Sequence, residues 1–365
     1  MSQGTTKKRW LALQIVTLCF AVLTTGCATV EKQIVHPSVA ETAKTLRYAY
    51  TIDTMVLGSN DIIKRIITGG ETYSLTKPVA IGVRGDTLII SDAGSIWDDG
   101  GMTISDPVSA IGKASIRVNE SGFTSLYRYN LKTGYFEDIP GAGDIIKGEI
   151  SDIYIAKDMS FYVTDVEAKR VLHFSANGGL IGEYKDGPNI SRPIAVTLDD
   201  ARQELIVADG MYSHIVAFDV KSRNPIYGMG GRGEGPGKFR IITDMIVIPG
   251  GFAVSDRIEL RVQIFDRKGT YIADFGRGDI MFPTALAIDP DERIYVADKA
   301  DSTIKVYKVG KLIDVVGSNG YGAGEFRHIS DMKVLGNKLF VVDSLNSRIQ
   351  VFDFVPEAKS VALLN

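Results

Sequence analysis

Cysteine is nearly absent from this sequence: there are two in 365 residues, Cys19 and Cys27. Both lie near the N-terminus, so the rest of the chain has no internal disulfide, no CxxCH haem attachment and no thiol nucleophile. Histidine is almost as scarce, with His36, His173, His214 and His328. Four scattered imidazoles and no HExxH do not make a zinc site built from several convergent histidines. Basic charge is not in excess either, since the formal net charge is −3, which leaves no footprint for nucleic acid. The glycine-rich GGRGEGPGKF (Gly230 to Phe239) is not a phosphate loop. Arg232 stands at the first Gly of GxxxxGK, and Phe239 replaces the Ser or Thr that would hold magnesium.

What the N-terminus does contain is a targeting pattern. Lys7, Lys8 and Arg9 precede an apolar run from Trp10 to Leu23, too short to span a bilayer comfortably. LTTGC follows and resembles a lipobox, in which the signal is cut before a cysteine that then carries lipid. Thr24 stands where Leu is commonest. The pattern predicts a signal peptide over 1–26, a lipidated Cys27 and a polar tether over 27–60; an ordinary secretory signal is the alternative. Ala28 rather than Asp after the cysteine would, in a Gram-negative cell, favour the outer membrane. Without residues 1–26 the net charge becomes −6, because the segment holds three bases and no acids.

Glycine and β-branched residues dominate what remains, and they recur at one spacing. Six short apolar strands end in aspartate: LIISD at Asp92, FYVTD at Asp165, LIVAD at Asp209, FAVSD at Asp256, IYVAD at Asp298 and LFVVD at Asp343. Successive gaps are 73, 44, 47, 42 and 45 residues. A second strand closes ten residues after each Asp, at Ser175, Asp219, Asp266, Lys308 and Asp353. In the first copy the matching residue is Asn130, so that repeat carries about 28 extra residues. A period of roughly 40–50 residues with several strands per repeat predicts a β-propeller. The aspartates recur at one place in every repeat, which suits turn capping.

The order of a Gly-rich linker, Phe, Pro, IYVAD, a polar turn and RIQVFD resembles that of NHL repeats. GGRGEGPGKF and GSNGYGAGEF (Gly317 to Phe326) are its linkers. The chain is similar to bacterial six-bladed NHL-repeat lipoproteins over residues 62–353, and the resemblance implies an all-β, six-bladed propeller over 61–365. The last repeat has only three good strands. IIKRIITGG (Ile62 to Gly70) is an orphan strand resembling a fourth, and is expected to close the ring by joining the C-terminal blade. LRYAYTID (Leu46 to Asp53) is strand-like and is expected on the exterior.

Two features bear on function. The insertion at about 93–124 contains Trp97 and should open on the face that also carries the Gly-rich linkers; long loops in compact domains often carry function, and the alternative is a flap or channel plug with Trp97 as its hydrophobic anchor. Two residues after the Pro position, the inner strands carry Ala80, Asp152, Ala195, Asp244, Ala285 and Asp331 in alternation. If these strands line a channel, Asp152, Asp244 and Asp331 converge at its mouth, where they would bind a hard cation such as Ca²⁺, pair with Lys77, Arg192, Arg240 and Arg327 at the same entrances, or simply accept hydrogen bonds from adjacent backbone N–H groups. The first functional reading is a lipid-anchored, non-catalytic binding or scaffold module for an envelope protein, peptide or glycan, without a cofactor. The alternative is a metal-dependent lyase or lactonase with its site at the mouth, which the three aspartates would only partly supply.

Overall fold

The computed structural model describes residues 43–57, 72–94, 124–139 and 141–356. It is nearly all β. Besides a two-stranded ribbon, Ser318–Asn319 with Glu325–Phe326, six blade sheets follow one another along the described residues, each beginning at an inner strand: Pro78–Arg84, Ile153–Ile155, Pro193–Asp199, Ile242–Ile248, Pro283–Ile288 and Ile329–Leu335. These six first strands contact one another in a closed cycle, the last returning to the first. The fold is a six-bladed β-propeller.

The alternation expected of a half-exposed sheet is missing from the second strands because both of their faces are covered. Leu205–Ala208, for example, packs Leu205 and Val207 against blade 2, and Ile206 and Ala208 against blade 4. Six such apolar clusters, one per blade interface, form the core. The strand-ending aspartates are buried and do more than cap turns. Asp209 accepts the backbone N–H groups of Met211 and Tyr212 in its own turn, and those of Ser191 and Arg192 leading into the inner strand. Asp298 does the same for Ala300, Met281 and Phe282. Each carboxylate fixes where its inner strand starts.

The Arg and Gln of the RxQ strands explain the Gly-rich linkers. Arg348 donates to the carbonyls of Tyr321, Gly322 and Glu325, while Gln350 donates to Glu325 and accepts the Gly324 N–H. Arg261 and Gln263 hold Gly235, Gly237 and Lys238 in the same way. Gly317, at φ 94°, is one position where only glycine serves, since an added Cβ would lie 2.5 Å from the Phe326 ring.

Ring closure differs from the sequence expectation. An N-terminal strand does complete blade 6, but it is Leu46–Ile52, antiparallel to Arg348–Phe354. The supposed tether therefore contributes a blade strand from Leu46 onward. Its apolar ends decide the matter: Leu46 and Ile52 are buried against the clusters on either side of blade 6. Asp314 fixes the approach by accepting the N–H groups of Lys44 and Thr45 and the Thr45 hydroxyl. Ile62 to Gly70 lies outside the described residues, as do Cys27 and Trp97. Thr54–Leu57 and Thr72–Ser74 extend blade 1 to six strands, Thr54–Leu57 running parallel to Tyr135–Asp138. Among the described residues no helix is long and apolar enough to cross a membrane.

Candidate functional site at the channel mouth

Five of the six inner strands break register near their start, between Pro78 and Ala80, Pro193 and Ala195, Ile242 and Asp244, Pro283 and Ala285, and Ile329 and Asp331. Such bulges re-aim a side chain. The skipped residues are Val79, Ile194, Thr243, Thr284 and Ser330, and with Ser151 of blade 2 all six line one cavity of about 840 Å³. Hydroxyls stitch this floor together: Thr284 donates to the Ile329 carbonyl and Ser330 to that of Val79, each reaching the next blade.

The alternating aspartates lie one residue further on and are buried. Each Oδ1 accepts the N–H of the following residue: Ile153 at 2.8 Å, Met245 at 2.7 Å and Met332 at 2.7 Å. Each Oδ2 crosses to the next blade and accepts an inner-strand N–H, from Val196 at 2.7 Å, Leu286 at 2.6 Å and Ile81 at 2.8 Å. The donor is always the residue after a buried Ala (Ala195, Ala285, Ala80). That explains the alternation. Blades 2, 4 and 6 each provide a carboxylate that satisfies an N–H otherwise left bare on the channel edge of blades 3, 5 and 1.

A lysine stands among these aspartates, at the place where a hard cation was one of the readings. Lys333 Nζ sits 2.7 Å from Asp152 Oδ1 and 2.8 Å from Asp331 Oδ1, and no group of three or more His, Cys, Asp or Glu among the described residues is placed to hold a metal ion. A hard cation needs several free oxygens; here both oxygens of every aspartate already accept a backbone N–H. The expected partners Lys77, Arg192, Arg240 and Arg327 do not reach the carboxylates either. Arg240 pairs with Glu234, and Arg327 lies over the Tyr321 ring. Lys333 was legible in principle: it is two residues after Asp331 on the same strand, and period two puts both on one face.

Burial pushes the Asp244 carboxyl up to about 8, with the facing Asp152 and Asp331 adding to the rise and Lys333 opposing it. Burial likewise lifts Asp331 to about 6, against the pull of Lys333. Burial alone would lower the Lys333 ammonium, but the carboxylates of Asp152, Asp331 and Asp244 outweigh it and hold the lysine charged. Asp244 is thus pushed toward its neutral form. Its folded-state pKa exceeds the ordinary 3.8, so its contribution to stability is fully present below about pH 4 and is lost as pH rises through about 8. Asp244→Asn, neutral at every pH, should be less stable than wild type at pH 5 by about 1–3 kcal/mol for one unpaired N–H. The gap should shrink toward pH 9. Melting curves across that range check this, and a constant gap would show that Asp244 does not titrate there.

Above the floor the wall is basic. Lys77, Lys147, Arg192, Arg232, Arg257 and Lys299 line it, against Glu149 and Glu167, and the lining comes from all six blades. His328 also faces the cavity; burial, then Lys299 and Lys77, depress it to about 4, so it is uncharged at neutral pH. Of the cationic residues expected at the mouth, Arg192 and Lys77 are in the wall, and Arg240 and Arg327 are not. Arg257 and Lys299 were missed. Each directly follows a strand-ending aspartate, a position that opens on the same end of the blade. Ala93 and Thr124, the flanks of the insertion, line the cavity too.

Comparisons with known proteins agree with this architecture. A family model described as "6-bladed beta-propeller" (DUF5128) matches residues 287–360. A protein of unknown function from Bacteroides thetaiotaomicron VPI-5482 superposes with a TM-score of 0.54 at 14% identity, covering 77% of this chain and 70% of that one. The WD40 β-propeller domain of Doa1 gives 0.52 at 13% identity, covering 80% and 83%. The likeness is one of fold. No curated protein matches the sequence.

Proposed function

We propose that this propeller is a non-catalytic binding module, held to the cell envelope by lipid on Cys27, that takes a protein, peptide or glycan partner at its channel mouth. The observation that supports the reading is the cavity itself: all six blades contribute to its wall, and it opens where the insertion leaves and rejoins blade 1. Rigid blades with a shaped, loop-rich end are what a binding surface requires. The groups that an enzyme reading would use, Asp152, Asp244 and Asp331, are spent on backbone N–H groups and Lys333. The RxQ–linker contacts accord with NHL-type repeats, and the lipobox-like LTTGC with an outer-membrane lipoprotein.

Two variants test the two halves of the proposal. Met211→Trp, on the cavity wall and 45% exposed, should obstruct the mouth without disturbing the core. It should abolish recovery of the partner from solubilised envelopes, whereas the outer-strand change Ile272→Trp should not; unchanged recovery with Met211→Trp would move the binding face elsewhere. Cys27→Ser should eliminate metabolic palmitate labelling, and an unlabelled wild-type protein would remove the anchor.

A further inference from the structure

The cavity wall carries a charge that the chain as a whole does not. Net charge is −3, yet six basic side chains and only two acidic ones line the mouth. The acidic pair sits together on blade 2, where a Glu167 oxygen accepts the Glu149 N–H at 2.6 Å. Lys147 is on the same blade, and four of the other cations come from elsewhere around the ring: Lys77 from blade 1, Arg192 from blade 3, Arg257 from blade 4 and Lys299 from blade 5. None of these four is in a salt bridge with a described residue. Arg257 and Lys299 instead converge on one aromatic ring, with Arg257 Cζ 5.1 Å and Lys299 Nζ 5.7 Å from the centroid of Phe282. None of the strand-ending aspartates lines the cavity. Asp209 and Asp256 are fully buried beneath the rim and spend their oxygens on backbone N–H groups, while Asp298 and Asp343 are paired with Lys305 and Arg348.

Like charges brought to one concave wall repel unless an anion joins them, and a cleft focuses their field on a ligand of opposite sign. Burial is the main cause of the depressed His328, and Lys299 and Lys77 add to it from two different blades. The volume of about 840 Å³ falls in the range of small-molecule sites. Of the floor hydroxyls, those of Ser151 and Thr243 offer polar contacts, whereas Thr284 and Ser330 already donate their protons to carbonyls and have none for an anion. Guanidinium and ammonium groups at separate points of the rim suit several negative groups rather than one.

We infer that the channel mouth binds a compact polyanion, a group bearing two or more closely spaced carboxylates or phosphates, held by Lys77, Arg192, Arg257 and Lys299. This rests on the mouth being the binding face and names the chemistry that face selects.

Titration calorimetry on the full chain, with citrate and inorganic pyrophosphate as probes and glucose as the neutral control, tests it. Citrate, pyrophosphate or both should bind while glucose does not, and raising the salt from 50 to 500 mM should weaken binding at least tenfold, in keeping with screening. A preference for citrate assigns carboxylates and a preference for pyrophosphate assigns phosphates. Arg192→Ala/Lys299→Ala should lower affinity at least tenfold, and Lys338→Ala, whose ammonium pairs with Asp353 away from the cavity, should leave it unchanged. Absence of binding by both anions at 10 mM, or binding that survives in the double variant, overturns the inference. If neither anion binds but Met211→Trp still prevents partner recovery, the polyanion is wrong and the mouth stands; if Met211→Trp has no effect on recovery, the mouth reading fails first.

Discussion

A chain lacking residues 1–53 will melt well below one lacking residues 1–42, and it will self-associate. The shorter deletion keeps Leu46–Ile52, the fourth strand of blade 6, and the longer one removes it. Fully burying an aliphatic side chain is worth about 1.5–3 kcal/mol, so loss of Leu46 and Ile52 alone removes on the order of 3–6 kcal/mol, before the strand's hydrogen bonds are counted. The removal also bares Arg348–Phe354 as a long apolar edge, which templates pairing with a second chain. Leu46→Ala makes the same point without deletion and should cost about 2–5 kcal/mol. Thermal denaturation and light scattering of the two truncations give the answer. Equal melting temperatures would mean that another segment closes the ring.

The second large effect belongs to Lys333. Replacing it by Met leaves Asp152, Asp244 and Asp331 facing one another with no cation between them. Breaking a buried ion pair by removing one partner costs about 3–5 kcal/mol, because the other charge stays buried and uncompensated. Asp244 and Asp331 should then hold protons to higher pH than in wild type, since the lysine opposes the rise at both. Raised folded-state values mean stability that is lost as pH climbs. Lys333→Met should therefore be nearest to wild type at pH 4–5 and fall away toward pH 8. Adding Asp331→Asn removes one of the facing charges and should recover part of the loss at neutral pH. Denaturant titrations at pH 5 and pH 8 measure both; a variant as stable as wild type at pH 8 would show that the ammonium does not neutralise the cluster.

The particular residues show where sequence reading stopped. The aspartate-terminated strands and their spacing were plain on the page, because a blade strand covered on both faces must be apolar throughout and must end at a turn that needs an acceptor. The alternation of Ala with Asp was also visible. Its meaning was not: the partner N–H of Asp152 is at Val196, and that of Asp331 is at Ile81, the latter a contact across 250 residues that exists only once the ring is closed. The closing strand was misplaced for a related reason. Both Leu46–Ile52 and Ile62–Gly70 are apolar enough to pair, and the choice between them depends on which one brings buried side chains to both neighbouring clusters.

Local sequence, then, determined the repeat, the blade count and the acceptor at each strand end, since each follows from periodicity and backbone hydrogen-bonding needs within one segment of about 45 residues. The tertiary structure alone decided the rest. It set Lys333 among three carboxylates from three blades, turned the bulge residues into one floor, and gathered Lys77, Arg192, Arg257 and Lys299 at one rim. Those groups are separated by tens to hundreds of residues, and their charges, burial and proton affinities depend on distances through space that only ring closure fixes.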